Sequence, residues 1–151
     1  MFPTDYTEII TEENETVGCD FAFDYESGQH LLTNGSLEEC SNIQGIKQFV
    51  RNVLRTKLNA YRVYIDGEID NFGISIYNYL GQRTLPLGYL NSELKREVTE
   101  QLLRHTQISS VSNWQGKRER QGLSISFTVT LVDGTEIEIK ESDFNVQSNT
   151  V

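Results

Sequence analysis

The sequence predicts an α+β protein in which two main helices pack on a mostly antiparallel sheet. Between Gly45 and Thr56 apolar residues recur every three or four positions, the period of a helix with one buried face. From Leu123 to Leu131 apolar and polar residues alternate strictly, the period of a strand with one buried face. At 151 residues, the chain has the length of a single domain that can bury a core of its own.

Charge is distributed unevenly along the chain. The net charge is −9, and residues 1–46 contain ten Asp or Glu but no Lys or Arg. A nucleic acid backbone requires a concentrated positive field, so the composition argues against nucleic acid as a partner. No apolar run approaches the ~20 residues that cross a bilayer, and the opening residues lack the pattern of a signal peptide. These features predict synthesis in a cytoplasm and no membrane partner.

Cofactor ligands are sparse in this sequence. Cys19, Cys40, His30 and His105 are isolated from one another, whereas a structural zinc site needs closely spaced Cys and His ligands. We therefore predict reduced thiols and no cofactor.

Three regions are predicted: an acidic arm at residues 1–15, one domain at residues 16–141 and a polar tail at residues 142–151. The domain is expected to open with an alternating strand from Val17 to Tyr25. Ser27-Gly28 is a turn signal, after which His30–Thr33 can return as a partner strand, and Asn34-Gly35 is the next break.

The main helix is predicted to be capped by Ser41 or Asn42 and to end near Thr56. Beside its buried face, three basic residues at four-residue spacing form a cationic ridge: Lys47, Arg51 and Arg55. A strand from Tyr61 to Ile65 and a short helix from residue 74 to Gly81 are expected to follow.

A second main helix is predicted from a cap at Asn91 or Ser92 to about Arg104. Its core face comprises Leu90, Leu94, Val98 and Leu102. Leu103 points nearly opposite, as either an ordinary exposed leucine or an interface contact.

The chain is expected to be extended from Ile108 onward and to end in a hairpin from Leu123 to Lys140. A two-residue loop would set apolar side chains opposite polar ones. A three-residue loop, Val132-Asp133-Gly134 with a left-handed Gly134, pairs Val129 with Ile137 and Phe127 with Ile139 and keeps one face apolar. The three-residue loop is therefore predicted.

Two clusters could carry chemistry. Asp66, Glu68 and Asp70 resemble a calcium loop, but Asn71 and Tyr77 stand where that loop needs Gly and Glu, so a solvated turn is expected. A basic cluster lies beside Trp114 and consists of Lys117, Arg118 and Arg120. It fits a hairpin tip, with a protein contact or base stacking as alternatives.

An ordered series of short motifs carries a family resemblance across about residues 16–132. The series is Phe21-Ala22-Phe23-Asp24-Tyr25 with Gly28, Leu54-Arg55-Thr56, Val63-Tyr64, Phe72-Gly73, Ser92-Glu93-Leu94-Lys95-Arg96 and the strand Leu123–Thr130. With these motifs the chain resembles the small, sheath-initiating baseplate wedge proteins of contractile phage tails. The nearest type is that of the PBSX prophage, and the T-even-phage wedge subunit and the type VI secretion baseplate subunit are remoter relatives.

The resemblance implies a structural, non-enzymatic protein that links larger baseplate wedge subunits to the first ring of tail sheath. It also implies a fold similar to the interlocking domain of sheath proteins, a location in the virion tail baseplate after assembly in the bacterial host cytoplasm, and hub or tube proteins as further candidate partners. The residues predicted to bind partners are Lys47, Arg51, Arg55, Leu103, Ile125, Phe127, Val129, Ile137 and Ile139.

One feature of the remote relatives is missing from this chain. They carry a Glu-Pro-Arg triplet after the second helix, where this chain has His105-Thr106-Gln107, so the contact made by that triplet is not transferred. Two other functions remain open from the residues alone: a small hydrolase using an acid pair, and a cellular regulator that binds a protein through its acidic arm.

Overall fold

The computed structural model describes residues 20–62, 71–79, 84–120 and 122–141. The chain forms two compact units, residues 1–45 and residues 46–151. The predicted arm and tail lie outside the described residues. The predicted domain limits, residues 16 and 141, adjoin those segments and stay predictions.

The first unit contains two short antiparallel hairpins. Strands β1 (Phe23–Asp24) and β2 (Gln29–His30) form one, and β3 (Leu32–Thr33) and β4 (Ser36–Leu37) form the other. The predicted turn at Ser27-Gly28 is confirmed, since β1 and β2 flank it and Gly28 has a φ of 70°. The first part of the predicted opening strand, including Val17 and Cys19, lies outside the described residues.

Asn34-Gly35, predicted from the sequence only as a break, forms a tight hairpin turn. Both residues have positive φ, 52° and 80°, as the two central residues of a tight hairpin turn do. The second hairpin follows from this dipeptide.

Three main-chain hydrogen bonds close the first unit into a ring. The Leu31 amide donates to the Ala22 carbonyl at 2.9 Å, the Ala22 amide to the Glu38 carbonyl at 2.8 Å, and the Glu38 amide to the Leu31 carbonyl at 3.0 Å. Each of three chain segments therefore pairs with both others. Main-chain bonding fixes this unit, because its strand residues are half-buried or exposed.

Helix α1 spans Asn42–Arg55. Ser41 caps it, as one of the two predicted candidates: its Oγ accepts from the Gln44 amide at 3.4 Å, while the Gln44 side chain accepts from the Ser41 amide at 3.2 Å. The predicted core face is confirmed, with Ile46, Val50, Val53 and Leu54 buried and Phe49 packed against the core.

The segment after α1 is anchored by polar contacts. Gly73 has a φ of 111°, and a Cβ on it would lie 2.5 Å from the Thr56 carbonyl oxygen. The Glu97 carboxylate accepts from the amide and hydroxyl of Ser75 at 2.9 and 3.0 Å. The short helix predicted for residues 74–81 is a single turn of 3-10 helix, Ile76–Asn78, and the expected stop at Gly81 lies outside the described residues.

The strand predicted at Tyr61–Ile65 falls mostly outside the described residues. Tyr61 and Arg62, the two positions that are described, are not in a strand.

Helix α2 spans Leu87–Leu102, so the predicted caps are wrong, whereas the end lies within two residues of the predicted Arg104. Pro86, with a φ of −61°, occupies the N-cap, because proline presets the angle for helix entry and lacks an amide to satisfy. Asn91 lies inside the helix and donates its side-chain amide to the Gly116 carbonyl at 3.2 Å. Ser92 donates its hydroxyl to the Gly88 carbonyl. The predicted core face is confirmed, since Leu90, Leu94, Val98 and Leu102 are all buried.

A three-stranded antiparallel sheet completes the second unit. Its order is β5 (Ile108–Glu119), β6 (Gly122–Leu131) and β7 (Glu136–Glu141), with β6 in the centre. Val129 pairs with Ile137, Phe127 pairs with Ile139, and Gly134 has a φ of 89°, which confirms the three-residue loop. The apolar face of this sheet and the apolar faces of the helices form one core. The α+β class is confirmed.

Candidate interaction surfaces

The outer edge of β7 is a candidate site for an added strand. Within the described part of the second unit, β7 pairs only with β6, over six consecutive residues without a break. The Leu131 amide donates to the Thr135 carbonyl at 2.8 Å, and hydrogen-bonded pairs then alternate along an antiparallel ladder. Glu136, Glu138 and Lys140 therefore direct their main-chain N–H and C=O groups away from β6.

The opposite edge of the sheet is irregular. The pairing of β5 with β6 shifts register twice, between Ile108 and Ser110 and between Ser112 and Gln115. Asn113, within the second shift, has a φ of 53°. Bulges of this kind bend a strand and interrupt its row of donors and acceptors, so β5 offers a poorer template than β7.

The five apolar residues of the late hairpin that are predicted to bind partners belong to the core. Ile125, Phe127, Val129, Ile137 and Ile139 are all buried. An arriving strand would contact the main chain of β7. The five buried side chains would hold β7 itself in place from inside the core. Their assignment as partner-binding residues stays a prediction.

The cationic ridge lies on the exposed side of α1. Lys47, Arg51 and Arg55 are all exposed. Arg55 Nε lies 3.8 Å from Glu141 Oε1, beyond hydrogen-bond distance, so the contact is an ion pair of small net stability. The ridge therefore ends beside the last residue of β7.

Tyr77 buttresses the same end of α1. Its hydroxyl donates to the Leu54 carbonyl at 2.7 Å. Burial raises the pKa of Tyr77, with Arg55 opposing the change and Glu141 adding to it. The phenol stays neutral at pH 7 and keeps its role as donor.

Leu103 follows the last residue of α2 and is 47% exposed. Tyr61, Tyr89 and Val132 in the same unit are at least as exposed. Exposure alone does not distinguish Leu103 as an interface residue, and that assignment stays a prediction.

The basic cluster lies at the end of β5, as expected for a hairpin tip, and Glu119 of that strand pairs with Gly122 of β6. Its aromatic neighbour is occupied: Trp114 stacks on Phe127 with ring centroids 5.2 Å apart and an interplanar angle of 16°. Arg118 donates to the Leu85 carbonyl at 3.2 Å. Trp114 is partly buried against the core, and one face of its ring is covered by Phe127.

Across the described ranges, no three His, Cys, Asp or Glu side chains cluster as a metal site would need. Asp66, Glu68 and Asp70 lie outside those ranges. No helix in the described part of the chain has the length and apolarity to span a bilayer.

One surface was missed from the sequence. In the first unit Phe21, Leu32 and Leu37 are all exposed, whereas the sequence predicts only an alternating strand from Val17 to Tyr25. The Asn-Gly dipeptide was the available signal, because it predicts a second tight hairpin too small to cover its own apolar side chains.

Fold and surfaces define a class: a small α+β structural module whose sheet, as far as the described residues show it, has a regular edge at β7 without a partner strand. The family comparison makes this specific. Residues 19–134 match the family model described as contractile injection system sheath initiator, and the chain belongs to that family. The resemblance to sheath-initiating proteins of the PBSX type is thereby confirmed.

The chain is also similar to an individual phage-like protein. The chain is 28% identical over 136 residues to the phage-like element PBSX protein XkdS of Bacillus subtilis strain 168, and the match covers 89% of each chain.

Proposed function

We propose that this protein is a structural component of a contractile tail baseplate on which the first ring of sheath is started. The observation that supports the proposal is the open edge of β7, a regular strand with three outward-facing pairs of main-chain groups. A strand from a sheath subunit would add there and extend the sheet of this chain. Membership of the sheath initiator family supports the same role.

Strand addition fits the geometry of β7. Its six residues match the usual length of a strand, and outward-facing Glu136, Glu138 and Lys140 provide three donors and three acceptors. Each main-chain hydrogen bond contributes about 0.5–1.5 kcal/mol net. Such bonds do not depend on the side chains of the incoming strand, so the edge can receive a partner of varied sequence. A fold similar to the interlocking domain of sheath proteins would likewise accept an added strand at the edge of its sheet.

The cationic ridge provides the second attachment. Lys47 and Arg51 are exposed on α1, and Arg55 connects the ridge to β7 through Glu141. We assign the ridge to an acidic face of the larger wedge subunits. One end of α1 would then be fixed to the baseplate while the neighbouring strand receives sheath. Contacts with hub or tube proteins are a further part of the proposal, as is a location in the virion baseplate after assembly in the host cytoplasm.

Glu138→Pro tests the role of the edge. Proline removes the outward amide of residue 138 and places its ring where the added strand would lie, while every inward bond to β6 is kept. We expect the variant to fold and enter baseplates but to nucleate no sheath, as counted by electron microscopy of assembled tails. Glu138→Ala, which keeps the amide, is the matched control and should nucleate normally.

Equal sheath growth on the two Glu138 variants would show that the edge of β7 is not used.

The ridge is tested separately by Lys47→Glu with Arg51→Glu, which leaves the Arg55–Glu141 pair intact. We expect this variant to be missing from baseplates. Normal incorporation would show that the ridge does not attach the protein to the baseplate. The proposed role of the β7 edge would be unaffected.

A further inference from the structure

The first unit carries an apolar face whose leucines remain substantially exposed among the described residues 20–45. Strand register defines the face, since directly paired residues project to the same side and successive residues alternate. Phe21 pairs with Glu39, Phe23 with His30, and Leu32 with Leu37. Following these pairs around the ring places all six side chains on one side, five of them apolar or aromatic.

Exposure on this face is high for large apolar side chains. Leu32 is 64% exposed and Leu37, directly opposite it, is 45% exposed. Phe21 is 40% exposed. Burying apolar surface is favourable, and adjacent exposed leucines on a sheet are a typical contact for a partner.

The unit is preorganised for binding. The ring formed by Ala22, Leu31 and Glu38 satisfies main-chain groups without using the apolar face. Phe23 is held on its neighbours, with its ring 5.1 Å from those of both Tyr25 and His30. A partner would therefore meet a surface whose backbone is already ordered, which lowers the entropic cost of association.

The charge around the face identifies the chemistry of the partner. Residues 20–45 contain five acids and no Lys or Arg. Glu39 lies on the apolar face, and alternation places Asp20, Asp24 and Glu38 on the reverse side. Hydrogen bonds from Ser27 and the Glu26 main chain lower the pKa of Asp24, so its negative charge persists below neutral pH.

We propose that the face formed by Phe21, Leu32 and Leu37 docks a segment of another baseplate protein in which apolar side chains are flanked by Lys or Arg. Two copies of this chain joined through the same face would bring ten carboxylates together, which disfavours self-association. An anionic lipid surface is disfavoured by the same charge. A basic and apolar protein segment satisfies both features of the site.

This inference rests on the chain acting within a contractile particle, but it concerns different residues from the edge of β7. The two surfaces can therefore fail independently. Strand addition at β7 depends on main-chain groups of residues 136–140, whereas docking on the first unit depends on apolar side chains and carboxylates between residues 20 and 40.

Photo-crosslinking in assembled baseplates tests the proposal. With p-benzoylphenylalanine in place of Leu32, we expect cross-links to one other protein, at a segment with Lys or Arg within a few residues of the attachment point. The same substitution at Val132, which is 68% exposed in the second unit, is the control and should not label that segment. Cross-links to a second copy of this chain, to an acidic segment, or to no protein would each overturn the proposal.

Affinity for the purified cross-linked protein provides a second readout. Leu32→Ser with Leu37→Ser should weaken binding by about tenfold or more, equivalent to about 1.4 kcal/mol, while Val132→Ser should leave it unchanged. Raising salt from about 0.05 to 0.5 M should weaken binding of the wild type. The salt effect should shrink in Glu39→Gln, which removes the carboxylate that lies on the apolar face. Unchanged affinity in the leucine double variant would contradict the proposal, whatever the result for Glu138→Pro in sheath growth.

Discussion

The two units use the same alternation of apolar and polar residues with opposite results. In β6, every second side chain is buried in a core that includes both helices. Around the ring of the first unit, the corresponding apolar side chains remain substantially exposed, and main-chain hydrogen bonds provide the order. Alternation therefore specifies which side chains share a face, but the residues available to cover that face decide whether it is buried.

Phe127→Ala should produce the largest difference between the units. The ring is 1% exposed and stacked on Trp114, so its loss creates a cavity costing about 3–5 kcal/mol. Leu32→Ala in the first unit should change stability by no more than about 0.5 kcal/mol. Urea denaturation followed by circular dichroism measures both. Similar losses in the two variants would show that the apolar face of the first unit is covered.

Gly116→Ala tests how closely α2 packs on the sheet. A Cβ on Gly116 would overlap the side chain of Asn91, and overpacking of this kind costs about 1–3 kcal/mol. Asn91→Ala in the same chain should recover part of the loss, because the shorter side chain makes room. A double-mutant cycle measures that coupling. Additive losses would mean that the two positions do not touch.

Ser41→Ala should destabilise the chain by about 1 kcal/mol through loss of the cap of α1. The first unit depends on hydrogen bonds rather than burial. Losing the Ser41 side chain should therefore cost more stability than truncating either exposed leucine, Leu32 or Leu37. Thermal unfolding of Ser41→Ala and Leu37→Ala compares them directly. The reverse order of stability would contradict the description of the first unit.

A smaller effect is expected from pH in the second unit. Burial lowers the pKa of His105 from its ordinary 6.5, and its Nδ1 accepts from the Gln107 amide at 3.2 Å. The unfolded chain then takes up a proton more readily than the folded chain. The contribution of neutral His105 to the free energy of unfolding is therefore present above pH 6.5. It is lost as pH falls from 6.5 toward the lowered pKa of His105.

Comparing the wild type with His105→Gln isolates that contribution. Between about pH 7.5 and 5.0, the wild type should lose more of its free energy of unfolding than the variant does. Equal losses would show that His105 titrates alike in the folded and unfolded chains.

Much of the second unit could be predicted because its sequence patterns are long. The face of α1 and the three-residue loop before β7 follow from periodicity and register, since a shift of one residue would expose every apolar side chain of β7. The start of α2 was mispredicted because Asn91 has the chemistry of a cap but is used to reach Gly116. That long-range contact leaves no local signal in the sequence.

The candidate surfaces were only partly predictable for a related reason. Lys47, Arg51 and Arg55 are exposed as their spacing indicates, but the pairing of Arg55 with Glu141 brings together residues far apart in sequence. The regular edge of β7 and the bulged edge of β5 differ by backbone shifts that composition does not encode. The exposure of the apolar face of the first unit depends on which residues pack over it, and residue patterns do not record that.

Hydrogen exchange of the β7 amides, measured with and without sheath protein, tests the central claim most directly. In the free chain, the amides of Glu138 and Lys140 should exchange quickly, whereas those of Ile137 and Ile139 should exchange slowly because they bond to β6. Added sheath protein should slow Glu138 and Lys140 to the rate of their neighbours. Slow exchange at Glu138 in the free chain, or no change there when sheath assembles, would contradict the account.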